Sequence, residues 1–377
     1  MDGTERQAKA ATAVSHRSGI VGAAIVPHAP QLLSMPDTED LAQVARVKAA
    51  MQKVGDGLRA LSPDLVIVIS NCHGEEMVVH CVPPFMIHCG DRAHGHAKHK
   101  GVWRIDGEAG QALTHLMLDE GFDPAFTLDT DVGTAFTIAH DYCGFSRETP
   151  FLPIYVNVYV PPQPSPQRCF AFGKALARAL ERMGKRAVVI VSDGLSHFPG
   201  TPMYPTPDLA GDKVIFEHLA AGNLNYIMSY DAARLDGTGN VECRSLQILA
   251  GAIGDRKPDH AVLEPSWHHI YAVVGWTSPI APDAYVPLYP GFAARHSELA
   301  RAIHAIVTDD AASAAYKADR PGFARRYDLP DEERAALVRL DEDELRERYL
   351  VNPMLTYMAK VKVGDKLKNR NKPNSRS

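Results

Sequence analysis

The sequence predicts an α/β protein, in which a mostly parallel sheet is flanked by helices and a small all-helical domain follows at the C-terminal end. Apolar, β-branched runs that stop abruptly at turn residues alternate with amphipathic stretches, as they do where buried parallel strands are joined by helices. From residue 296 onward the chain is more charged and its apolar residues follow a helical period. A chain of 377 residues with 45% hydrophobic content can bury one large core and a smaller second one.

Composition excludes several classes of protein. The formal charge of −5 arises from 40 basic and 45 acidic residues, so no nucleic-acid partner is expected. The apolar run that follows Arg17 is too short to cross a membrane and lacks a signal-peptide cleavage pattern, so no membrane partner is expected either. Six cysteines without a CxxC pair indicate reduced thiols, which favours a cytoplasmic location.

The first predicted unit is a strand, a helix and a second strand. Gly19–Val26 and Leu65–Ser70 are apolar runs typical of buried strands, and Thr38–Leu61 carries apolar residues at three- and four-residue steps, as an amphipathic helix does. Such a unit gives parallel strands with a right-handed crossover. The histidines that follow the two strands, His28 and His73, are therefore expected at the same edge of the sheet.

The region between residues 75 and 150 is harder to assign. Met77–Cys81 is compatible with a strand, and Phe126–Ile138 is ambiguous. His94, His96 and His99 have an HxHxxH spacing that could bind a metal, but glycine and basic neighbours favour a solvated loop.

A third apolar run ends at a histidine. Arg186–Ser192 stops at Asp193-Gly194 and leads to His197, so a reactive side chain again follows a strand. Ligands of open α/β sheets bind beyond the carboxyl ends of parallel strands. The remaining elements predicted before His197 are the helix Gly107–Glu120, the strand Phe151–Tyr159 and the helix Cys169–Met183.

Beyond His197 the chain is predicted to be largely helical. Glu242 follows a glycine-rich turn, Asp236–Asn240, and opens a helix, where the helix dipole favours a carboxylate. An N-terminal helix charge is the structural alternative. The predicted elements of this part are helices over Asp208–Ala220, Tyr226–Asp231 and Glu242–Ile253 and a strand over His269–Trp276.

A proline- and tyrosine-rich stretch near Pro279–Ala294 marks a boundary between a catalytic domain, residues 19–280, and a small helical domain, residues 294–362. Residues 1–18 are expected to be disordered, and residues 363–377 form a basic tail. The helices predicted in the small domain are His296–Val307, Asp310–Ala318, Asp331–Leu340 and Glu342–Leu350, closed by Asn352-Pro353.

Several motifs occur in an order that matches a known family. They are VPHAP around His28, SNCHGE around His73, PIYVNVYVPPQPSPQRCFAFGKAL, VSDGLSH around His197 and the helix at Glu242. Together they resemble the catalytic subunit of class III extradiol ring-cleaving dioxygenases, the protocatechuate 4,5-dioxygenase family. Residues 323–360 resemble that family's small helical subunit, and a fusion of both parts in one chain is similar to gallate dioxygenase.

The resemblance implies a site and a chemistry. It makes His28, His73 and Glu242 the ligands of an Fe(II) cofactor and His197 the acid/base residue. Two imidazoles and one carboxylate leave positions on Fe(II) for the oxygens of an aromatic substrate and for O₂. The implied partners are this aromatic substrate and O₂, and a homodimer is expected.

One motif departs from the family. Where the family usually has Asp-His-Gly, this chain has Val132 in the place of the histidine. His140 is a candidate substitute, and a 2-aminophenol becomes a possible substrate beside a catechol. His269 and Tyr357 are further candidate substrate contacts, with structural packing as the alternative for each.

Two other functions remain open at this stage. A hydrolase could use the same two histidines and glutamate around zinc, because the sequence does not identify the metal. A non-catalytic binding protein that keeps the fold would explain Val132.

Overall fold

The computed structural model divides into two compact units at residues 282/283. The residues that it describes are 18–34, 36–71, 73, 81–96, 99–128, 131–280 and 293–366. Among these residues, no helix is both long and apolar enough to cross a membrane.

Eight strands of the first unit form one sheet in the order β6-β3-β7-β2-β8-β1-β10-β9, and β4 and β5 pair separately. The strands are β1 Gly19–Val26, β2 Leu65–Ser70, β3 Phe85–His88, β4 Arg92–His94, β5 Val102–Arg104, β6 Ala125–Thr127, β7 Phe151–Val156, β8 Arg186–Ser192, β9 His260–Pro265 and β10 Ile270–Trp276.

The centre of the sheet is parallel. Neighbours in the series β7-β2-β8-β1 all run in the same direction, whereas β10 is antiparallel to β1 and β3 is antiparallel to β7. Every residue of β2 is buried, which explains its uninterrupted apolar character. The predicted α/β class with a mostly parallel sheet is confirmed.

Helices lie between the strands in sequence. They are α1 Gln31–Ser34, α2 Leu41–Ala60, α3 Gly107–Asp119, α4 Thr134–Tyr142, α5 Pro166–Met183, α6 Leu209–Ala221, α7 Ala232–Thr238 and α8 Cys243–Ile253, with a 3₁₀ helix at Leu224–Ser229. The side chain of Ser165 accepts a hydrogen bond from the N–H of Arg168 and so caps α5.

Two glycines allow α5 and α8 to pack closely. A Cβ atom on Gly173 would lie 1.9 Å from the carbonyl oxygen of Ile248, and one on Gly251 would lie 2.0 Å from that of Phe170. Backbone contact of this kind leaves no room for a side chain. The close packing fixes α8, which begins beside Glu242.

The second unit is helical. Its elements are a 3₁₀ turn at Ala294–His296 and α9 Ser297–Thr308, α10 Asp310–Ala318, α11 Arg320–Ala324, α12 Asp331–Arg339, α13 Glu342–Glu347 and α14 Pro353–Val363. Its own core includes Leu299, Ile303, Tyr316, Leu337 and Leu345, each of them fully buried. A C-terminal helical region was predicted, and it is present.

Several predicted boundaries were wrong. The strand predicted to extend to Tyr159 ends at Val156, and the edge strand β9 was missed because its residues are only partly buried and show no clear alternation. The ambiguous stretch Phe126–Ile138 contains the end of β6 and the start of α4. The strand proposed at Met77–Cys81 lies, except for Cys81, outside the described residues.

Three helical assignments also changed. The segment predicted as a helix over Tyr226–Asp231 is largely 3₁₀, and α7 covers the first part of the predicted glycine-rich turn. Asn352 and Pro353 do not close the small domain, because Asn352 caps α14 and Pro353 begins it. Proline is favoured at the first position of a helix, where no N–H is needed.

Candidate metal centre

Three neighbouring strands deliver the candidate residues to one edge of the sheet. His28 follows β1, His73 follows β2 and His197 follows β8, and these strands lie side by side in the order β2-β8-β1. Since β10 runs antiparallel to β1, its first residues reach the same edge and bring His269 with them. Glu242 joins them from the start of α8.

His28, His73 and Glu242 form one cluster. Their ligand atoms all lie within 4.8 Å of one another. The Nε2 atoms of His28 and His73 are 3.4 Å apart, and Oε1 of Glu242 lies 3.6 Å from Nε2 of His28 and 3.1 Å from Nε2 of His73. His28 and Glu242 are buried, whereas His73 is partly exposed.

A hydrogen-bond chain determines the tautomer of His28. The hydroxyl of Ser192 donates to the carbonyl oxygen of Ala135, so it must accept from Nδ1–H of His28, at 3.1 Å. The lone pair of Nε2 then points at the cluster. Burial lowers the pKa of His28, which favours this neutral, ligating form.

The carboxylate of Glu242 is held by one of its oxygens. Oε2 accepts a hydrogen bond of 2.7 Å from the backbone N–H of Gly194, which leaves Oε1 facing the histidines. Burial raises the pKa of a carboxyl group, but the neighbouring imidazoles of His28 and His197 outweigh this effect. The pKa of Glu242 therefore lies well below its usual range.

These donors fit a divalent metal. Nε2 of His28 and Oε1 of Glu242 are both acceptors, 3.6 Å apart, and a cation between them relieves their repulsion. Two imidazoles and one carboxylate are ligands that suit iron and zinc.

His197 lies beside the cluster and is oriented from one side. Its Nδ1–H donates to the carbonyl oxygen of Leu195 at 2.8 Å, and its Nε2 lies 3.5 Å from Oε1 of Glu242. Burial lowers the pKa of this imidazole, but the Glu242 carboxylate raises it, and the net effect is a raised pKa. An imidazole that carries its proton on Nδ1 can accept a second proton at Nε2 and return it.

His269 packs against His197, with ring centroids 4.7 Å apart. Its buried Nε2 has no hydrogen-bond partner among the described residues, and burial holds its pKa well below the usual range. The neighbouring His268 is different, because its Nε2 lies 2.9 Å from Oε1 of Glu39. His269 is therefore the one of the two that can offer a group to a bound molecule.

His140 is not part of this cluster, which corrects the prediction that it substitutes for the missing histidine. Its Nδ1 lies 2.8 Å from a carboxylate oxygen of Asp141, and its ring packs on Phe151 at the amino end of β7, the opposite edge of the sheet. Val132 is fully buried and pairs with Gly95 in a short β-bridge. An apolar side chain thus occupies the position where an imidazole was expected.

The HxHxxH histidines and Tyr357 also lie elsewhere. Nδ1 of His99 is 2.9 Å from the hydroxyl of Thr137, and His94 belongs to the exposed ends of β4. Among the described residues, only the His28 cluster has metal-ligand geometry. Tyr357 lies on α14 in the second unit and is 45% exposed, so its role as a substrate contact stays a prediction.

Sequence reasoning missed Tyr159. Its hydroxyl lies 2.8 Å from Oε1 of Glu242 and 3.0 Å from Nε2 of His197. The residue had been placed inside a strand, but β7 ends at Val156, so Tyr159 follows a strand next to β2 just as His73 follows β2 itself. The histidines were identified because they follow the carboxyl ends of buried strands. The same rule would have identified Tyr159 if the end of β7 had been predicted correctly.

Comparisons with known proteins place the chain in a family. Residues 22–274 match the family model described as the catalytic LigB subunit of aromatic ring-opening dioxygenase. A 2,3-dihydroxyphenylpropionate/2,3-dihydroxicinnamic acid 1,2-dioxygenase of Cupriavidus necator is 32% identical over 50% of this chain and 58% of its own length. A protein of the same name from Mycobacterium sp. (strain MCS) is 27% identical over 67% of this chain and 77% of its own length.

The match to the Cupriavidus protein therefore spans less than two thirds of that relative. A solved structure of an uncharacterized protein from Escherichia coli K12 is 17% identical, with a TM-score of 0.43, over 67% of this chain and 99% of that one.

Proposed function

Because the chain belongs to the family of catalytic LigB subunits of aromatic ring-opening dioxygenases, we propose that it is an Fe(II)-dependent extradiol dioxygenase. In this proposal it inserts O₂ into a catechol-like or 2-aminophenol-like substrate and opens the aromatic ring. The observation that carries the proposal is the convergence of His28, His73 and Glu242 beside His197 at the carboxyl edge of the sheet.

His28, His73 and Glu242 would hold Fe(II) through the atoms that face one another. When bound, Fe(II) supplies positions for both the substrate and O₂ and a route for electrons between them. Gly194 keeps the carboxylate oriented by its hydrogen bond to Oε2. Ser192 keeps Nε2 of His28 free of a proton.

His197 would handle the substrate proton. The hydrogen bond to Leu195 fixes the proton of the neutral ring on Nδ1, so Nε2 can accept the proton of a ring hydroxyl as it ionises. The resulting imidazolium is stabilised by the Glu242 carboxylate, 3.5 Å away, and can return the proton later. His269, held neutral by burial, would contact the ring or its substituent from the far side of His197.

The substrate class is inferred from the chemistry of the site, from the names of the relatives and from the apolar Val132. A vicinal pair of hydroxyl groups, or a hydroxyl beside an amine, is the chemistry that such a site accepts, and the relatives are named for 2,3-dihydroxyphenylpropionate. The buried Val132 offers no proton acceptor. A substrate that needs fewer protons removed, such as a 2-aminophenol, therefore stays a candidate.

We further propose that residues 294–362 correspond to the family's small subunit, in the arrangement of gallate dioxygenase, and that Tyr357 contributes to substrate binding. Tyr357→Phe should then raise KM and leave the metal affinity unchanged. An unchanged KM would assign Tyr357 to the surface of the second unit alone.

The experiment is anaerobic reconstitution with Fe(II), followed by oxygen-electrode traces with gallate, protocatechuate, 2,3-dihydroxyphenylpropionate and 2-aminophenol. Stoichiometric O₂ uptake with a yellow ring-opened product is expected, and it should be lost in His28→Ala. His115→Ala, which changes an exposed histidine on α3, is the matched control and should keep full activity. Tight metal binding without O₂ uptake for any of these aromatic substrates would refute the dioxygenase and favour a hydrolase. Zinc in the purified protein would support the hydrolase.

A further inference from the structure

We propose that Tyr159 is a positioning residue of this site, whose hydroxyl ties the carboxylate ligand Glu242 to the acid/base residue His197. The inference rests on the proposed function for the roles of these two partners. The contacts themselves are independent of it: the phenol oxygen lies 2.8 Å from Oε1 of Glu242 and 3.0 Å from Nε2 of His197.

The hydroxyl contacts the atom through which each partner would act, Oε1 of Glu242 and Nε2 of His197. Oε1 is the oxygen of Glu242 that faces His28 and His73, and the other oxygen is taken by Gly194. A carboxylate oxygen can accept from a hydroxyl and still offer a second lone pair to a cation. Tyr159 can therefore keep its contact while the metal site is filled.

Tyr159 also completes the orientation of His197. The hydrogen bond from Nδ1–H to Leu195 holds one side of the ring. The phenol donates its single proton to Oε1 of Glu242, so its oxygen accepts from Nε2–H when His197 is protonated and then holds the other side. With both contacts the imidazole cannot turn, and its Nε2 stays directed at the cluster.

The loop after β7 is built to hold this side chain in place. The side-chain amide of Asn157 donates to the carbonyl oxygen of Pro162, and its side-chain oxygen accepts from the N–H of Val160. The side chain of Gln163 donates to the carbonyl oxygen of Val158 at 3.2 Å. These bonds close the chain on both sides of Tyr159, whose ring packs 5.3 Å from that of His73.

The test compares Tyr159→Phe with wild type and with Tyr230→Phe. Tyr230 is a buried tyrosine whose hydroxyl has no hydrogen-bond partner among the described residues, so its variant removes a buried hydroxyl without touching the site. The first readout is the affinity for Co(II) or Fe(II), measured anaerobically by competition with a chelator. The second readout is the change in kcat and, separately, the change in KM, measured with an aromatic substrate that the wild type cleaves.

We expect Tyr159→Phe to bind the metal about 10-fold more weakly, within the 10–100-fold range for partners that orient metal ligands, and to lower kcat more than it changes KM. Tyr230→Phe should leave both quantities unchanged even where its thermal midpoint falls. An affinity and kcat within twofold of wild type would overturn the inference. So would equal losses in both variants, since these would indicate a general effect on folding.

His28→Ala separates this inference from the proposed function. Weak binding by His28→Ala together with unchanged binding by Tyr159→Phe overturns the role of Tyr159 and leaves the metal site standing. Unchanged binding in both variants overturns both. Where the wild type binds the metal but takes up no O₂, the proposed function fails, and the affinity ratio alone decides the role of Tyr159.

Discussion

Gly194→Ala should damage the site through a single methyl group. A Cβ atom at this position would lie 2.4 Å from Cε1 of His269 and 3.0 Å from Cε1 of His197. Non-bonded carbon atoms pack at about 3.5 Å or more, so one ring must move by about 1 Å. His269 is only 4% exposed and has little room to retreat, which directs the displacement into the site.

Two magnitudes follow from this displacement. Misplacing a reacting group by about 1 Å can cost about 100-fold in rate, and overpacking a buried site costs about 1–3 kcal/mol of unfolding free energy. The backbone N–H of residue 194 still bonds Glu242, so the metal affinity should change by less than about threefold, below the loss seen when a partner that orients a metal ligand is removed.

The assay measures O₂ uptake, denaturant unfolding and metal affinity on the same preparations. Gly237→Ala is the matched control, because a Cβ atom there meets nothing within 4 Å and the residue lies in α7. The control should keep full activity and gain up to about 1 kcal/mol of stability from helix propensity. A Gly194→Ala protein with kcat within twofold of wild type would refute the reasoning about the two rings.

Three further predictions concern charged groups. Glu242→Gln should weaken metal binding by more than about 100-fold, which exceeds the loss typical of residues that only orient ligands. Competition with a chelator measures this affinity. A value near that of wild type would contradict the assignment of Glu242 as a ligand. Burial raises the pKa of Asp212 to about 7, well above the value of about 3.9 for an exposed aspartate, so the folded state keeps a proton that the unfolded chain has released. The free energy of unfolding should therefore fall as pH rises between about 4 and 7, by at most about 1.4 kcal/mol per pH unit from this group. Urea unfolding at several pH values should show a shallower fall in Asp212→Asn than in wild type. Identical slopes in the two proteins would contradict the raised pKa. Asp141→Asn removes the carboxylate that His99, His140 and Arg147 all contact. This should cost about 3 kcal/mol of unfolding free energy and leave the metal affinity unchanged. Weaker metal binding in this variant would indicate that His140 contributes to the metal site after all.

The sequence predicted the part of the site that depends on strand ends. Apolar runs that stop before His28, His73 and His197 are buried parallel strands, and parallel neighbours share a carboxyl edge, so pattern alone placed the three histidines together. The fold class followed from the same pattern. The roles of these residues in binding and catalysis remain predictions.

What the sequence did not predict depends on exact ends and on partners. Tyr159 was hidden because Val158, Tyr159 and Val160 continue the strand-like composition beyond Val156, the last residue of β7. His140 was misjudged because α4 places its ring against Phe151, at the amino end of β7, and periodicity does not show which partner a buried histidine finds. Gly194 looked like a turn residue, although the space it leaves between His197 and His269 is visible only in three dimensions.

The ligands of the candidate centre are far apart along the chain: His73 is 45 residues from His28 and 169 residues from Glu242. An unfolded chain does not present them together, so a metal ion would bind almost only the folded state and thereby shift the folding equilibrium. At a free metal concentration 100 times the dissociation constant, this linkage adds about 2.7 kcal/mol to the free energy of unfolding. Metal supply during expression would then govern the yield of folded protein as well as its activity.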